Sequence, residues 1–251
     1  LSKVYVLAPD GEIAEEFDVP GRPSGMGWLP GGDLIVVSMK ERCLYRRHGG
    51  DLRRFADLST YHPFFSNDMV VDRAGRAYVG NIGFDFENGA EPASTQMALV
   101  DPDGTVSLAA SDLMCPNGTV ITPDGKTLIV AESMGHRLTA FDIGADGGLS
   151  NRRIFADLGD HVPDGICLDD EGCVWFASPY AEGVFRVRAG GTIVDSARTD
   201  GANPYACMLG GEDGRVLFIA CAPHHDPKTT VALMGGRIDI ARAPAAAAGR
   251  P

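Results

Sequence analysis

A repeat of about 40 to 50 residues constrains the fold of this chain more than any other feature. Equivalent positions recur at residues 24, 67, 117, 164 and 206, with separations of 43, 50, 47 and 42 residues. In each repeat a glycine follows eight residues later, and a short apolar run follows that glycine. A period of about 40–50 residues is typical of one four-stranded propeller blade. The sequence therefore predicts an all-β propeller.

The length of the chain predicts six blades, with the first blade incomplete at its amino-terminal end. Five repeats use roughly 225 residues and six blades need about 270, whereas the chain has 251. Residues 1–17 are predicted to form two strands around a turn at Pro9-Asp10-Gly11, as in the outer half of a blade. We expect Gly236–Ala241 to add another strand to that same blade, which would pair the two chain ends. Residues 1–251 are then one domain that begins inside the first blade, with a loose tail over residues 244–251.

Composition argues against several classes of partner. The formal net charge of −12 disfavours nucleic acid, whose binding depends on Lys and Arg at phosphates, and it disfavours anionic lipid surfaces. The sequence contains no run of 18 apolar residues, so no membrane span is predicted. The six cysteines form no Cys-x-x-Cys pair, and we expect buried thiols in a reducing, cytoplasmic setting rather than a zinc site.

Three of the five repeat positions carry an oxygen ligand for a metal ion, namely Asn67, Asn117 and Asp164. If the repeats are arranged radially, these side chains point at one axis and meet there. Amide and carboxylate oxygens are hard donors, which suit calcium best and magnesium or manganese as well; zinc with oxygen ligands alone is less usual. A single carboxylate leaves a divalent ion with excess positive charge, which can polarise a carbonyl group or acidify a bound water.

A plainer interpretation of these motifs is a set of ordinary turns. Pro-Asn-Gly and Pro-Asp-Gly are common turn sequences, and Pro123-Asp124-Gly125 is one that lies between two strands of a hairpin. Asn117 and Asp164 differ from it because they precede the repeat glycine in step with Asn67. The run His224-His225-Asp226 is a further candidate metal cluster, although a solvated loop is the simpler interpretation.

Taken in order, the three motifs resemble the gluconolactonase and regucalcin (senescence-marker protein) family, which includes luciferin-regenerating enzymes. The matching segments are Ser66-Asn67-Asp68 with Gly75, Pro116-Asn117-Gly118 with Gly125, and Pro163-Asp164-Gly165 with Gly172 and Trp175. The resemblance implies a six-bladed propeller with one divalent metal at the channel mouth and, in most members, lactone hydrolysis. It implies metal-ligand roles for Asn67, Asn117 and Asp164, and for Asp164 also the role of acid/base or nucleophile.

The resemblance also implies three points about the substrate and the metal cage. Asp85 corresponds to an acidic substrate-contacting position, although an exposed loop carboxylate is an alternative. Phe65 stands where the sugar-lactonase members have Arg, so we expect an apolar wall here, or else a core aromatic, and a small-molecule substrate less polar than a sugar lactone. The family's glutamate ligand in the first blade has no counterpart in this sequence.

The sequence thus favours metal-dependent hydrolysis of a lactone or related cyclic ester, with Asp164 activating the attacking water and Asn67, Phe65 and Asp85 contacting substrate. One alternative is a phosphotriester or other ester hydrolase that uses the same ion, since one fold hosts many chemistries. The other is a non-enzymatic propeller that binds a ligand. A serine hydrolase is disfavoured because the Gly-x-Ser-x-Gly elbow is missing.

Overall fold

The computed structural model describes residues 2–8, 10–224 and 227–249, and these residues form antiparallel strands joined by short turns. The chain divides into two compact units, Leu1–Asp112 and Leu113–Pro251. In the ranges that the structure describes, the single α-helix, α1 (Pro227–Leu233), has only seven residues. None of the helices in those ranges is long and apolar enough to cross a membrane.

The first unit contains one hairpin and two four-stranded sheets. The hairpin pairs β1 (Lys3–Leu7) with β2 (Ile13–Asp18). The next sheet contains, in spatial order, β3 (Pro23–Trp28), β4 (Leu34–Ser38), β5 (Cys43–His48) and β6 (Asp51–Asp57). The other contains β7 (Ser66–Val71), β8 (Ala77–Asn81), β9 (Thr95–Val100) and β10 (Val106–Leu113).

The second unit contains sheets of four, five and three strands. The first of them consists of β11 (Pro116–Ile121), β12 (Thr127–Glu132), β13 (Arg137–Ile143) and β14 (Leu149–Asp157). The second consists of β15 (Ile166–Asp169), β16 (Val174–Ser178), β17 (Gly183–Val187), β18 (Ile193–Arg198) and the late strand β22 (Ala247–Ala248). The third consists of β19 (Asn203–Gly210), β20 (Val216–Ala222) and β21 (Arg237–Arg242).

Burial decreases across each of the larger sheets from its first strands to its last. Strands β8 and β16 are buried along their whole length, which is why the sequence shows apolar runs there instead of alternation. The fourth strands β6, β14 and β18 are mostly exposed. The first strands β7, β11 and β15 are mostly buried, and Asn67, Asn117 and Asp164 lie on them or just before them.

These sheets confirm the prediction of an all-β propeller, but not the predicted number of blades. In the described ranges there are five sheets of three to five strands, together with the β1–β2 hairpin. The expectation that Gly236–Ala241 would extend the first blade is wrong, because β21 pairs with β20 from Val216↔Arg242 to Cys221↔Arg237. Pairing with the preceding strand closes a short loop, which costs less chain entropy than pairing distant chain ends.

The expected loose tail is also corrected over residues 244–249. Ala243 and Ala245 are buried, and Ala248 pairs with Leu168 at the edge of β15. The backbone N–H of Asp170 donates to the carbonyl of Ala246 at 2.8 Å. The alanine run lacks polar side chains, so its backbone can lie close to an unpaired strand edge and satisfy that edge's hydrogen bonds.

The six cysteines are buried and free, as the sequence predicts. Cys167 and Cys207 belong to the core of the second unit beside Trp175 and Leu217. They pack as small apolar side chains there.

Candidate active site

The repeat positions coincide with an irregularity at the start of the inner strands. In the second unit, the register of β11 against β12 shifts between Pro116 and Thr119, which places Asn117 in a bulge. In the first unit, β7 shifts against β8 between Ser66 and Met69, on either side of Asn67. Bulges re-aim side chains and occur often beside active sites. The repeat positions Asn67 and Asn117 therefore share a local irregularity at the start of their strands.

The glycine eight residues after each repeat position closes the following hairpin. Gly75 has a φ of 86°, and its N–H donates to the carbonyl of Asp72 at 3.1 Å. The carboxylate of Asp72 accepts from the backbone of Ala74 and Arg76, both at 2.9 Å. A positive φ is the reason for glycine in this turn, and the hairpin fixes the distance from the bulge to the turn.

The residue after the repeat position is glycine in three repeats because neighbouring inner strands come very close there. A Cβ on Gly118 would lie 2.6 Å from the carbonyl oxygen of Asp164, and one on Gly165 would lie 2.7 Å from Cα of Ala206. In the first unit, a Cβ on Gly25 would lie 2.6 Å from the backbone nitrogen of Met69. The absence of a side chain lets the backbones meet, so residues 117 and 164 become neighbours within the second unit.

The side chain of Asn117 is buried and held by a serine. Its Nδ2 donates to Oγ of Ser133 at 3.1 Å, and that hydroxyl donates to the carbonyl of Pro163 at 2.6 Å. Since the amide nitrogen is engaged, the carbonyl oxygen Oδ1 is the atom that Asn117 offers to a ligand. Pro163 precedes Asp164, so Ser133 ties the two predicted ligands together.

Asp164 is half-buried just before β15, and its backbone N–H donates to the carbonyl of Ala177 at 2.9 Å. Its negative charge reaches two neighbours. Burial and then the charge of Asp164 raise the pKa of the Cys115 thiol to about 12. Burial also raises the pKa of the Tyr205 hydroxyl, the nearby side chain of Asn203 lowers it, and the charge of Asp164 raises it further. Oη of Tyr205 is buried and has no hydrogen-bond partner in the part of the chain that the structure describes.

Ser133 and Tyr205 were not predicted from the sequence as site residues. Polar residues at the ends of the second strands are a sequence feature that points to Ser133. In four sheets the second strand ends in a buried polar residue, namely Ser38, Asn81, Glu132 or Ser178. The carboxylate of Glu132 accepts hydrogen bonds from Arg137, Thr139 and Arg152. The residue that follows it, Ser133, is the one that reaches Asn117.

In the first unit, Asn67 is half-buried and its Oδ1 lies 3.5 Å from Oγ of Ser24, the preceding repeat position. Repeat side chains from neighbouring sheets therefore meet within this unit too. Ser66, just before Asn67, is hydrogen-bonded to His62. Nδ1 of His62 lies 2.7 Å from Oγ of Ser66. Burial lowers the pKa of His62 to about 4, so this imidazole is neutral and structural.

Phe65 and Asp85, two of the three predicted substrate contacts in the first unit, have different surroundings. The ring of Phe65 is half-buried and stacks on Phe64 with centroids 4.1 Å apart. Asp85 caps the 3-10 turn Phe86–Asn88, because its carboxylate accepts from the backbone N–H of Asn88 at 3.1 Å and from Nδ2 of Asn88 at 2.7 Å. Asp85 therefore shapes this loop, and its predicted role in substrate binding stays a prediction.

The donor set suits a hard divalent cation. The described residues contain no group of three or more His, Cys, Asp or Glu side chains that could hold a metal; His225 and Asp226 lie outside the described residues. Asn117 and Asp164 instead supply one amide oxygen and one carboxylate within the second unit. Oxygen donors of this kind fit calcium, magnesium or manganese.

Comparison with known proteins gives a consistent family match. The family described as SMP-30/Gluconolactonase/LRE-like region matches residues 2–223. A 6-deoxy-6-sulfogluconolactonase from Pseudomonas putida is 28% identical over 86% of this chain and 75% of the relative. A regucalcin from Danio rerio is 30% identical over 62% of this chain and 54% of the relative. The chain thus spans about half the length of that regucalcin.

A solved structure shows the same fold. A calcium-binding protein, regucalcin, from Agrobacterium tumefaciens superimposes with a TM-score of 0.79 at 21% sequence identity. The superposition covers 99% of this chain and 84% of that one. The likeness at this identity establishes the fold alone, since similar propellers serve different chemistries.

Proposed function

The chain belongs to the SMP-30/gluconolactonase/LRE-like family, and on that premise we propose that it is an enzyme that hydrolyses a lactone or related cyclic ester with the help of a divalent cation. The names of its relatives support lactone hydrolysis. The finer proposals concern the ion, the residues that hold it and the residue that activates water.

The observation that carries this proposal is the link Asn117–Ser133–Pro163 beside Asp164 in the second unit. Buried hydrogen bonds orient the amide of Asn117, and the close approach at Gly118 places the backbone of Asp164 beside it. A merely structural turn would need neither a buried, oriented amide nor a half-buried carboxylate at the same point. Preorganised polar groups of this kind are what catalysis requires.

Asn117 Oδ1 and the carboxylate of Asp164 would hold the cation. The hard oxygen donors favour calcium, and metal analysis of the purified protein would distinguish calcium from magnesium, manganese or zinc. When bound, the ion supplies a Lewis acid for the lactone carbonyl. Asn67 as a third ligand and substrate contact stays a prediction from the repeat.

Asp164 takes the proton from the attacking water in this proposal. The water oxygen adds to the carbonyl carbon, the ring C–O bond breaks, and the proton passes to the departing ring oxygen, which yields a hydroxy acid. The buried hydroxyl of Tyr205 lies in the field of Asp164 and beside Asn203. It has no partner within hydrogen-bond distance among the described residues, and in this proposal it donates a hydrogen bond to an oxygen of the substrate. Buried hydrogen-bond donors in proteins are normally paired, so a donor without a partner is consistent with a role in contacting a ligand.

The six free, buried thiols support action in a reducing, cytoplasmic compartment. The natural substrate in this proposal is a small molecule, and the strongly acidic chain offers little to nucleic acid.

The test is a substrate panel on the purified protein with and without a chelator. We expect hydrolysis of lactones, its loss with chelator and its return with calcium, together with about one bound ion per chain by metal analysis. Turnover of a phosphotriester or an open-chain ester in place of lactones would replace the proposed reaction. Full lactone hydrolysis by metal-free protein would remove the ion from it, and no turnover with no bound ion would favour a ligand-binding propeller.

A further inference from the structure

Residues 243–249 of the second unit, which we call the strap, lie against the ends of several strands of that unit. The strap follows β21 and includes β22. In the sheet order, β11 and β19 each stand at the edge of their sheet, and only β22 lies beyond β15. An edge strand carries a row of backbone N–H and C=O groups without partners in its own sheet. The strap therefore lies where the first strands of three sheets have backbone groups to pair.

The strap is hydrogen-bonded to the sheet that contains β15. Strand β22 pairs with the last two residues of β15, Leu168 and Asp169. Just after them, the backbone N–H of Asp170 donates to the carbonyl of Ala246 at 2.8 Å. In return, the carboxylate of Asp170 accepts from the N–H of Ala246 at 3.1 Å. These bonds hold the end of β15 that is distant from Asp164.

The strap also contacts the two neighbouring sheets. The backbone N–H of Ala247 donates at 2.8 Å to the carbonyl of Gly214, which lies in the turn between β19 and β20. Gly249 lies against the end of β11, because a Cβ on Gly249 would collide with the carbonyl oxygen of Ile121. One short segment thus joins the end of β11, the end of β15 and the turn after β19.

The same three strands carry residues of the candidate site at their other ends. Asn117 lies near the start of β11, Asp164 lies just before β15, and Tyr205 lies near the start of β19. At about 3.3 Å per residue, Asn117 is roughly 13 Å from Ile121 along its strand, and Asp164 is roughly 17 Å from Asp169. The strap is therefore too distant to touch a ligand, and its effect on the site must pass through the strands.

At the site, these strands already touch. The backbone N–H of Gly165 donates to the carbonyl of Tyr205 at 3.0 Å, and a Cβ on Gly118 would lie 2.5 Å from the backbone nitrogen of Ile166. Strands that touch at one end can still change their angle about that contact, which redirects the side chains beside it. A second attachment at the other end removes this freedom. Functional side chains need such support, because their geometry must be held within roughly 10–20°.

We infer that the strap is a positioning element, which fixes the angles between β11, β15 and β19 and so preorganises Asn117 and Asp164 for the cation. The inference rests on the proposed function for the role of these two residues. A segment that only stabilised the fold could end on one sheet, whereas the strap contacts three. Its release should leave the sheets folded and weaken calcium binding about three- to thirtyfold, the usual size of coupling through packed elements.

Gly249→Ala and Gly125→Ala are a matched pair of variants. The two glycines have nearly equal positive φ angles, 73° and 72°, so both substitutions carry similar backbone strain. A Cβ on Gly125 meets nothing within 4 Å, whereas one on Gly249 meets β11. We expect isothermal titration to show weaker calcium binding in Gly249→Ala alone. A lower unfolding midpoint in Gly249→Ala with unchanged calcium affinity would overturn the inference, because a strap with a structural role only would give that result.

Hydrogen exchange on chelator-treated protein separates this inference from the proposed reaction, because it needs neither ion nor substrate. Ala247→Pro is the second variant, since proline removes the N–H that donates to Gly214. In Gly249→Ala and Ala247→Pro, the amide of Gly165 at the site should exchange about three- to thirtyfold faster than in wild type. Amides of β13 should keep their wild-type rates, and Gly125→Ala should change neither.

The outcomes of this test are distinct. Faster exchange at Gly165 supports the strap even if wild type binds no calcium, in which case the ion of the proposed function fails instead. Unchanged exchange at Gly165 in both strap variants overturns the strap and leaves lactone hydrolysis standing. Equally faster exchange in β13 would also overturn it, because the strap would then only stabilise the whole fold.

Discussion

Asn117 in the second unit and Asn67 in the first occupy the same bulge of their sheets but are held differently. The amide of Asn117 is buried and donates to Ser133 at 3.1 Å. Asn67 is half-buried, and its amide oxygen accepts a long 3.5 Å contact from Ser24, with aromatic rings two residues away. One backbone feature thus occurs in two surroundings. In the second unit a buried hydrogen-bond network fixes the orientation of the amide, and in the first unit aromatic rings lie beside it.

The largest effect should come from Asp164→Asn, which removes the carboxylate from the second unit. We expect lactone hydrolysis to fall by about 10²–10⁴-fold, the usual contribution of acid–base assistance, while circular dichroism and the unfolding midpoint stay near those of wild type. Asp195→Asn, an exposed carboxylate on β18, is the control. Retained turnover in Asp164→Asn would exclude this residue as the base.

The two serines test the comparison directly. Ser133→Ala frees the amide of Asn117, and we expect calcium affinity to fall about 10–100-fold, as when residues that orient metal ligands are lost. Ser24→Ala removes only a long contact in the first unit, so a change of about twofold or less is expected. Isothermal titration with calcium measures both. Equal losses in the two variants would show that the two asparagines are held alike.

Glycine substitutions test the close approach of neighbouring strands, which occurs at Gly118 in the second unit and at Gly25 in the first. Gly118→Ala and Gly25→Ala each place a Cβ about 2.6 Å from a neighbouring backbone atom, so both should destabilise folding by roughly 1–3 kcal/mol, the usual cost of overpacking. Urea unfolding measures the free energy. Gly31→Ala, whose Cβ would meet nothing within 4 Å, should change it little. A neutral Gly118→Ala would contradict the close approach of the inner strands.

The smallest effect should come from His62, whose imidazole contacts Ser66 at the start of β7 in the first unit. The pKa of His62 is lowered from 6.5 to about 4 by burial, so the unfolded chain takes up this proton first as the pH falls. The histidine should therefore reduce stability by roughly 1–2 kcal/mol between pH 7 and pH 5. Urea unfolding of wild type and His62→Gln at both pH values measures this share. An identical pH dependence in the two proteins would contradict it.

Much of the architecture follows from local features of the sequence. The repeat glycine predicts each hairpin, because turns such as that at Gly75 need a positive φ. The buried second strands were visible as apolar runs. The errors concern pairing at the end of the chain, where β21 joined β20 and Ala247–Ala248 joined β15. A short segment can pair with any of several free strand edges. The spacing of residues along the sequence does not show which of these edges gives the most stable pairing.

The repeat by itself determined where Asn67, Asn117 and Asp164 lie, at or just before the first strand of a sheet, because the glycine and the hairpin that follow are local to each of them. Tertiary structure alone decided what surrounds them: Ser133 behind Asn117, Tyr205 near Asp164, and Phe86 against Phe65. These partners come from other strands or loops of the chain. Their contacts depend on how the sheets fold together, and no periodic signal in the sequence encodes a contact that occurs once.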